Sequence, residues 1–156
     1  MEKIIVYVND VGHALQQIAP MRRHAAAAAL AGGAGTHWIL VASAPRMSRH
    51  VSKWLTHSAR SSWRARWSER LFEDIVPILR TGQDQVLTLL AHDPLVEMTD
   101  KLLAQHGPAR VLDARLALPG QDLQAITRDQ PESTGSRWAV PGAVVGMGTL
   151  MALATD

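Results

Sequence analysis

Apolar residues fall along this chain in short continuous runs separated by stretches of helical spacing, which predicts strands and helices by turns. Lys3–Val8 is a β-branched run of the kind that forms a strand buried on both faces. Asn9-Asp10-Val11-Gly12 then turns the chain into a helix expected from His13 to Leu30. Leu15, Ile18 and Met21 lie on its inner face, and Ala25–Ala29 allows close packing. Pro20 is expected to kink that helix or split it in two. Ala31-Gly32-Gly33-Ala34-Gly35 stops it. This glycine cluster leads from a helix into a strand, whereas a phosphate loop leads from a strand into a helix. It therefore reads as a connector.

His37–Ala42 is the second expected strand, again continuously apolar at its centre. After Pro45 a long, mostly helical stretch is expected to about Arg80, with Trp67, Leu71, Ile75 and Ile78 at helical spacing in its second half. Thr81-Gly82-Gln83-Asp84 turns into a third strand, Gln85–Ala91. Asp93 reads as a cap and Pro94 as the first residue of a helix whose buried stripe is Leu95, Met98, Leu102 and Leu103. Gly107-Pro108 ends it, and Arg110–Ala114 is a fourth strand. Strand, helix and strand within about thirty residues predict a right-handed parallel crossover. From Leu116 to Arg137 the pattern is polar and loop-like, with one turn of helix expected near Asp122–Thr127. Trp138–Ala154 carries no charge and includes Gly142, Gly146 and Gly148. As a helix its seventeen residues would reach about 25 Å, short of a membrane core of about 30 Å. It is expected to pack on the sheet or on a second subunit, as strand then helix or as helix alone.

The reading is thus an α/β fold with a small open parallel sheet flanked by helices, in one domain over residues 1–156. Composition agrees: 47% hydrophobic and 19% charged residues suit a folded core. There is no cysteine, which excludes disulfides, thiolate catalysis and Cys-ligated metal. Together with an opening strand that lacks the features of a signal peptide, this points to a cytoplasmic protein.

Ligands of open parallel sheets bind beyond the carboxyl ends of the strands, near the switch in strand order. Those ends carry Asp10, Ser43, His92 with Asp93, and Asp113. Asp10 and Asp93 are also well placed as helix caps, whereas no clear helix follows Asp113.

The strand ending Val8-Asn9-Asp10, the Ala-rich first helix and the apolar second strand resemble the opening of a universal stress protein. Val86–Ala91, His92-Asp93-Pro94, a helix, and Val111-Leu112-Asp113-Ala114-Arg115 are similar to a later run of that family: strand, Gly-Asp-Pro, helix, strand, Met-Gly-Ser-Arg. The likeness spans roughly residues 3–115. It implies Rossmann-type layering, a homodimer and a site for ATP or AMP, with Asp10 on the ribose and the Ala42 backbone facing adenine. The family's phosphate loop has two glycines three apart and a Gly-Ser/Thr about ten residues further on. This chain instead runs Arg115-Leu116-Ala117-Leu118-Pro119-Gly120 and has no further glycine until Gly135-Ser136. The resemblance therefore implies a non-catalytic binding domain with an altered or lost nucleotide site.

One feature of the charge distribution offers a different function. Between Arg46 and Arg70 stand Arg46, Arg49, Lys53, Arg60, Arg64, Arg66 and Arg70 against the single acid Glu69, interleaved with Trp54, Trp63 and Trp67. Such a basic helical insertion suits nucleic acid, an anionic surface or an acidic protein partner. Metal binding and serine hydrolysis find less support. His50 and His57 would lie about 10 Å apart on a helix, too far for one ion, and no Gly-x-Ser-x-Gly elbow is present.

Overall fold

The computed structural model describes residues 1–45, 53–92, 94–117 and 123–128, and the backbone of 137–139. The element order is β1 (Glu2–Val8), α1 (Val11–Leu30), β2 (Thr36–Ala42), α2 (His57–Leu79), β3 (Gln85–Leu90), α3 (Leu95–His106), β4 (Arg110–Ala114) and β5 (Arg137–Ala139). The sheet order is β3-β2-β1-β4-β5. The first four strands are parallel, with Val8 beside Ala42, Ala42 beside Leu90, and Tyr7 beside Asp113. The expected parallel α/β architecture is the one found. β5 adds an antiparallel edge strand on β4, where the loop read from sequence gives way to the apolar segment expected as strand then helix or as helix alone.

Successive side chains of a strand point to opposite faces, so β1 feeds two cores. On one face Ile4, Val6 and Val8 join Trp38, Leu40 and Leu112, covered by Ile18 and Met21 of α1 and by Leu71, Ile75 and Leu79 of α2. On the other, Ile5, Tyr7, Ile39, Val41 and Val111 pack under Leu95, Met98 and Leu102 of α3. Among the described residues two helices therefore cover one face and one helix the other.

Several local expectations need correction. α1 is not split at Pro20 but continues through it as one helix. α2 begins only at His57, where Thr56 Oγ1 accepts a hydrogen bond from Ala59 N at 3.0 Å, so residues 53–56 are not helical; residues 46–52 lie outside the described set. Its buried stripe is Ser68, Leu71, Ile75 and Leu79, with Ile78 only half-buried, because the i, i+3, i+4 steps from Leu71 lead to Leu79. Pro94 stands at the cap position and not inside the helix. Asp93 lies outside the described residues. In α3 the stripe is Leu95, Met98, Thr99 and Leu102, with Leu103 half-buried. Residues 123–128 form bends and a turn where one turn of helix was expected, since Ile126 is drawn fully into the core beneath α3. The apolar segment 138–154 lies outside the described residues, except for the backbone of 138 and 139.

The glycine cluster is the connector expected of it. Gly32 adopts φ +87° just beyond the end of α1. A Cβ on Gly35 would stand 2.5 Å from the Gln83 carbonyl oxygen, so only glycine lets the entry to β2 pass this close to the α2–β3 turn. Asp84 then anchors that entry by accepting hydrogen bonds from Thr36 N at 2.7 Å and Trp38 Nε1 at 3.5 Å.

Candidate functional site

The chain leaves β1 for β2 and β3, then crosses back to β4 on the other side of β1. The switch in strand order therefore falls between β1 and β4, and their carboxyl ends define the cleft. Val8, Asn9 and Asp10 come from one side, and Ala114, Arg115 and Leu116 from the other.

Polar groups at this cleft are paired with one another. The Asp10 carboxylate accepts the His13 N–H at 2.9 Å, capping α1. The Asn9 amide bonds across the switch in both directions: Nδ2 donates to the Leu116 carbonyl at 3.0 Å, and Oδ1 accepts from Leu116 N at 2.6 Å. This double contact holds the two strand ends together. Asn9 was not singled out as a site residue in sequence, because its partner is 107 residues away.

Asp113 does not face the open cleft. Its neighbour in register is Tyr7, and its side chain is 1% exposed beneath the α3 face. Arg115 Nε donates to Oδ1 at 2.8 Å and Nη2 to Oδ2 at 2.9 Å, while the Arg115 backbone N–H reaches Oδ1 at 3.2 Å. Nη2 also donates to the Gln124 carbonyl. The acid is thus one half of a bidentate pair inside the protein. Beside it, the Tyr7 hydroxyl bonds Thr99 Oγ1 at 2.7 Å, and that oxygen donates to the Leu95 carbonyl at 3.0 Å. Burial pushes the Tyr7 phenol up to about 12 against the partial relief of its bond to Thr99 and of the Arg115 charge, so it stays a neutral hydrogen-bonding group.

The remaining candidates sit on β2 and β3. Ala42 is buried in the core under α1 and α2, and its carbonyl accepts Ala91 N at 2.7 Å. Ser43 is half-exposed, its N–H donating to the Val8 carbonyl at 2.8 Å. Both backbones are therefore part of the ladder. His92 is exposed at the end of β3, three strand spacings, or about 14 Å, from β4. Neighbouring strands bring Ser43 and His92 to adjacent ends, yet no hydrogen bond joins them among the described residues. The five candidates thus share one edge of the sheet without converging on one point.

A cavity of about 800 Å³ opens at the opposite edge, lined by Arg22 and Ala29 of α1, the glycine connector, and Gln83 and Asp84. It is walled mainly by backbone and small side chains, and its one acid is committed to β2. Among the described residues no group of three or more His, Asp or Glu side chains could hold a metal ion. No helix among them is long and apolar enough to cross a membrane.

In comparisons with known proteins, no family model, no curated protein and no solved structure matches this chain.

Proposed function

We propose that this chain is a non-catalytic binding domain of the universal-stress-protein kind, cytoplasmic, with an altered or lost adenine-nucleotide site, acting as a homodimer. The observation that carries the reading is the mutual pairing at the switch point. Asp10, in the position of the ribose-binding acid, caps α1, and Asn9 ties β1 to Leu116 where a ligand would part them. The described residues that follow β4, 115–117 and 123–128, include no glycine to bring backbone N–H groups up to phosphates.

The homodimer is supported by β3. Among the described residues Gln85–Leu90 is an open edge with no charge and no proline, and Val86, Leu87, Leu89 and Leu90 are only half-buried. Edges of this kind are ordinarily blunted by lysine, proline or a bulge, and a second copy would cover it.

Thermal melting with ATP and with AMP tests the nucleotide reading. A site held at 100 times its Kd adds about 2.7 kcal/mol, enough to see in the melting temperature. Little or no shift is expected. A large shift that Asp10→Ala removes, compared with that variant's own ligand-free melt, would overturn it.

A further inference from the structure

Beyond the cleft, and independently of it, α2 carries a second surface. The helix is 23 residues long, about 35 Å, whereas the six-residue strand β3 covers about 20 Å. Parallel strands joined through α2 place its amino end at the carboxyl edge of the sheet. The sheet cannot cover the helix along its whole length. Its buried stripe, Ser68-Leu71-Ile75-Leu79, continues at the same spacing through Arg64, Ser61 and His57, all exposed. Polar residues take over where the sheet no longer reaches, so the first half of α2 overhangs.

That overhang is charged in one sense. From His57 to Arg70 it holds Arg60, Arg64, Arg66 and Arg70 against Glu69 alone. Arg64, Arg66 and Arg70 are exposed, and the ion pairs among the described residues use Arg110, Arg115 and Arg128 instead. Aromatic surface accompanies the charge. Trp63 and Trp67 stack with ring centroids 6.5 Å apart and planes 21° apart, and both remain partly accessible. Trp54, two residues before the cap of α2, is 80% exposed. So open an indole offers its flat face to a partner, with an apolar body and a polar N–H edge.

We propose that this overhang binds single-stranded nucleic acid, the arginines engaging phosphates and Trp54 stacking on a base. An acidic protein would match the guanidinium groups but does not carry a π-face beside each of its charges, as a nucleotide chain does. A duplex keeps its base faces internal. A single strand presents regularly spaced anions and open bases together, which is the pairing of groups found here.

The test titrates the full chain into labelled oligothymidylate of about 16 nucleotides. Three to four neutralised phosphates predict binding roughly 20- to 50-fold weaker at about 200 mM salt than at about 50 mM, from a slope of about −0.7 per phosphate. Trp54→Ala, at an exposed position that leaves the melting temperature unchanged, is expected to weaken binding at least roughly fivefold with the salt slope intact, and Trp54→Phe to restore part of it. Arg64→Gln with Arg66→Gln is expected to flatten the slope. Absence of binding at low salt overturns the proposal, as does binding indifferent to Trp54. Equal or tighter binding to polyglutamate would reassign the surface to an acidic protein, and binding to anionic vesicles without binding to the oligonucleotide would reassign it to a membrane.

Discussion

Replacing Asp113 by alanine should be among the most damaging single changes in this protein. The carboxylate is 1% exposed and the Arg115 side chain 3% exposed, and three hydrogen bonds of 2.8 to 3.2 Å run from Arg115 to the two carboxylate oxygens. Taking the carboxylate away leaves a guanidinium in the interior without its counter-charge. Arginine does not escape that cost by losing its proton. Breaking such a buried pair from one side costs about 3–5 kcal/mol, out of a total that for a domain of this kind is about 5–15 kcal/mol. At about 2–4 °C per kcal/mol, Asp113→Ala should melt roughly 6–20 °C lower. Removing both charges should be far milder: Asp113→Leu combined with Arg115→Met exchanges the pair for apolar volume, which is often neutral or stabilising. Urea unfolding of the parent, the single variant and the double variant measures the difference. The reasoning fails if Asp113→Ala costs under about 1 kcal/mol, or if the double variant is no more stable than the single one.

Gly35→Ala should cost about 1–3 kcal/mol in urea unfolding, since the new Cβ would meet Gln83 backbone atoms at 2.5 and 2.6 Å; an unchanged midpoint would show that the turn yields. His37 is held below its ordinary value of 6.5 by burial, with His106 and Lys3 adding to the effect. The unfolded chain therefore takes up the proton first as pH falls, so this contribution is whole above about 6.5 and declines as the solution becomes more acid. His37→Gln should flatten the loss of stability below that pH, and identical slopes in melts across the range would refute the assignment. At the β3 edge, Ala91 N–H bonds the Ala42 carbonyl, so in a parallel ladder residues 87 and 89 face β2 while 86, 88 and 90 face outward. Thr88→Pro should then dissociate the proposed dimer and keep the fold, whereas Leu89→Pro should damage the sheet itself. Sedimentation separates these outcomes, and a monomeric parent protein or a dimeric Thr88→Pro would refute the edge pairing.

The distribution of legible and illegible features follows how far apart the interacting residues lie. Lys3–Val8, His37–Ala42, Gln85–Ala91 and Arg110–Ala114 could be placed to within about a residue, because a run of β-branched and aliphatic residues is a local pattern. The Asp10 cap was legible for the same reason: its partner, His13, is three residues on. The turn of helix expected near 122–127 failed because a distant core captured Ile126, and whether the segment from Trp138 opens as strand or helix stayed open because only three residues pair and their partners lie on β4. Asp113 looked like a free acid at a strand end, since nothing local distinguishes a carboxylate above the sheet from one beneath a helix.

By itself, then, the sequence determined the α/β alternation, the buried character of the strands, the stop at the glycine cluster, and the basic and aromatic content of α2. All of these depend on neighbours within a turn or two of chain. Only the tertiary structure decided the order β3-β2-β1-β4-β5, which sets the switch point between β1 and β4. It alone joined Asn9 to Leu116 across 107 positions and Tyr7 to Thr99 across 92, and it buried Asp113 against Arg115. It also decided that α2 outruns the sheet, because overhang is a relation between the length of a helix and the strands it covers. Contacts between strands and helices distant in sequence are selected by which faces can be buried together, and that choice is made by the whole fold at once.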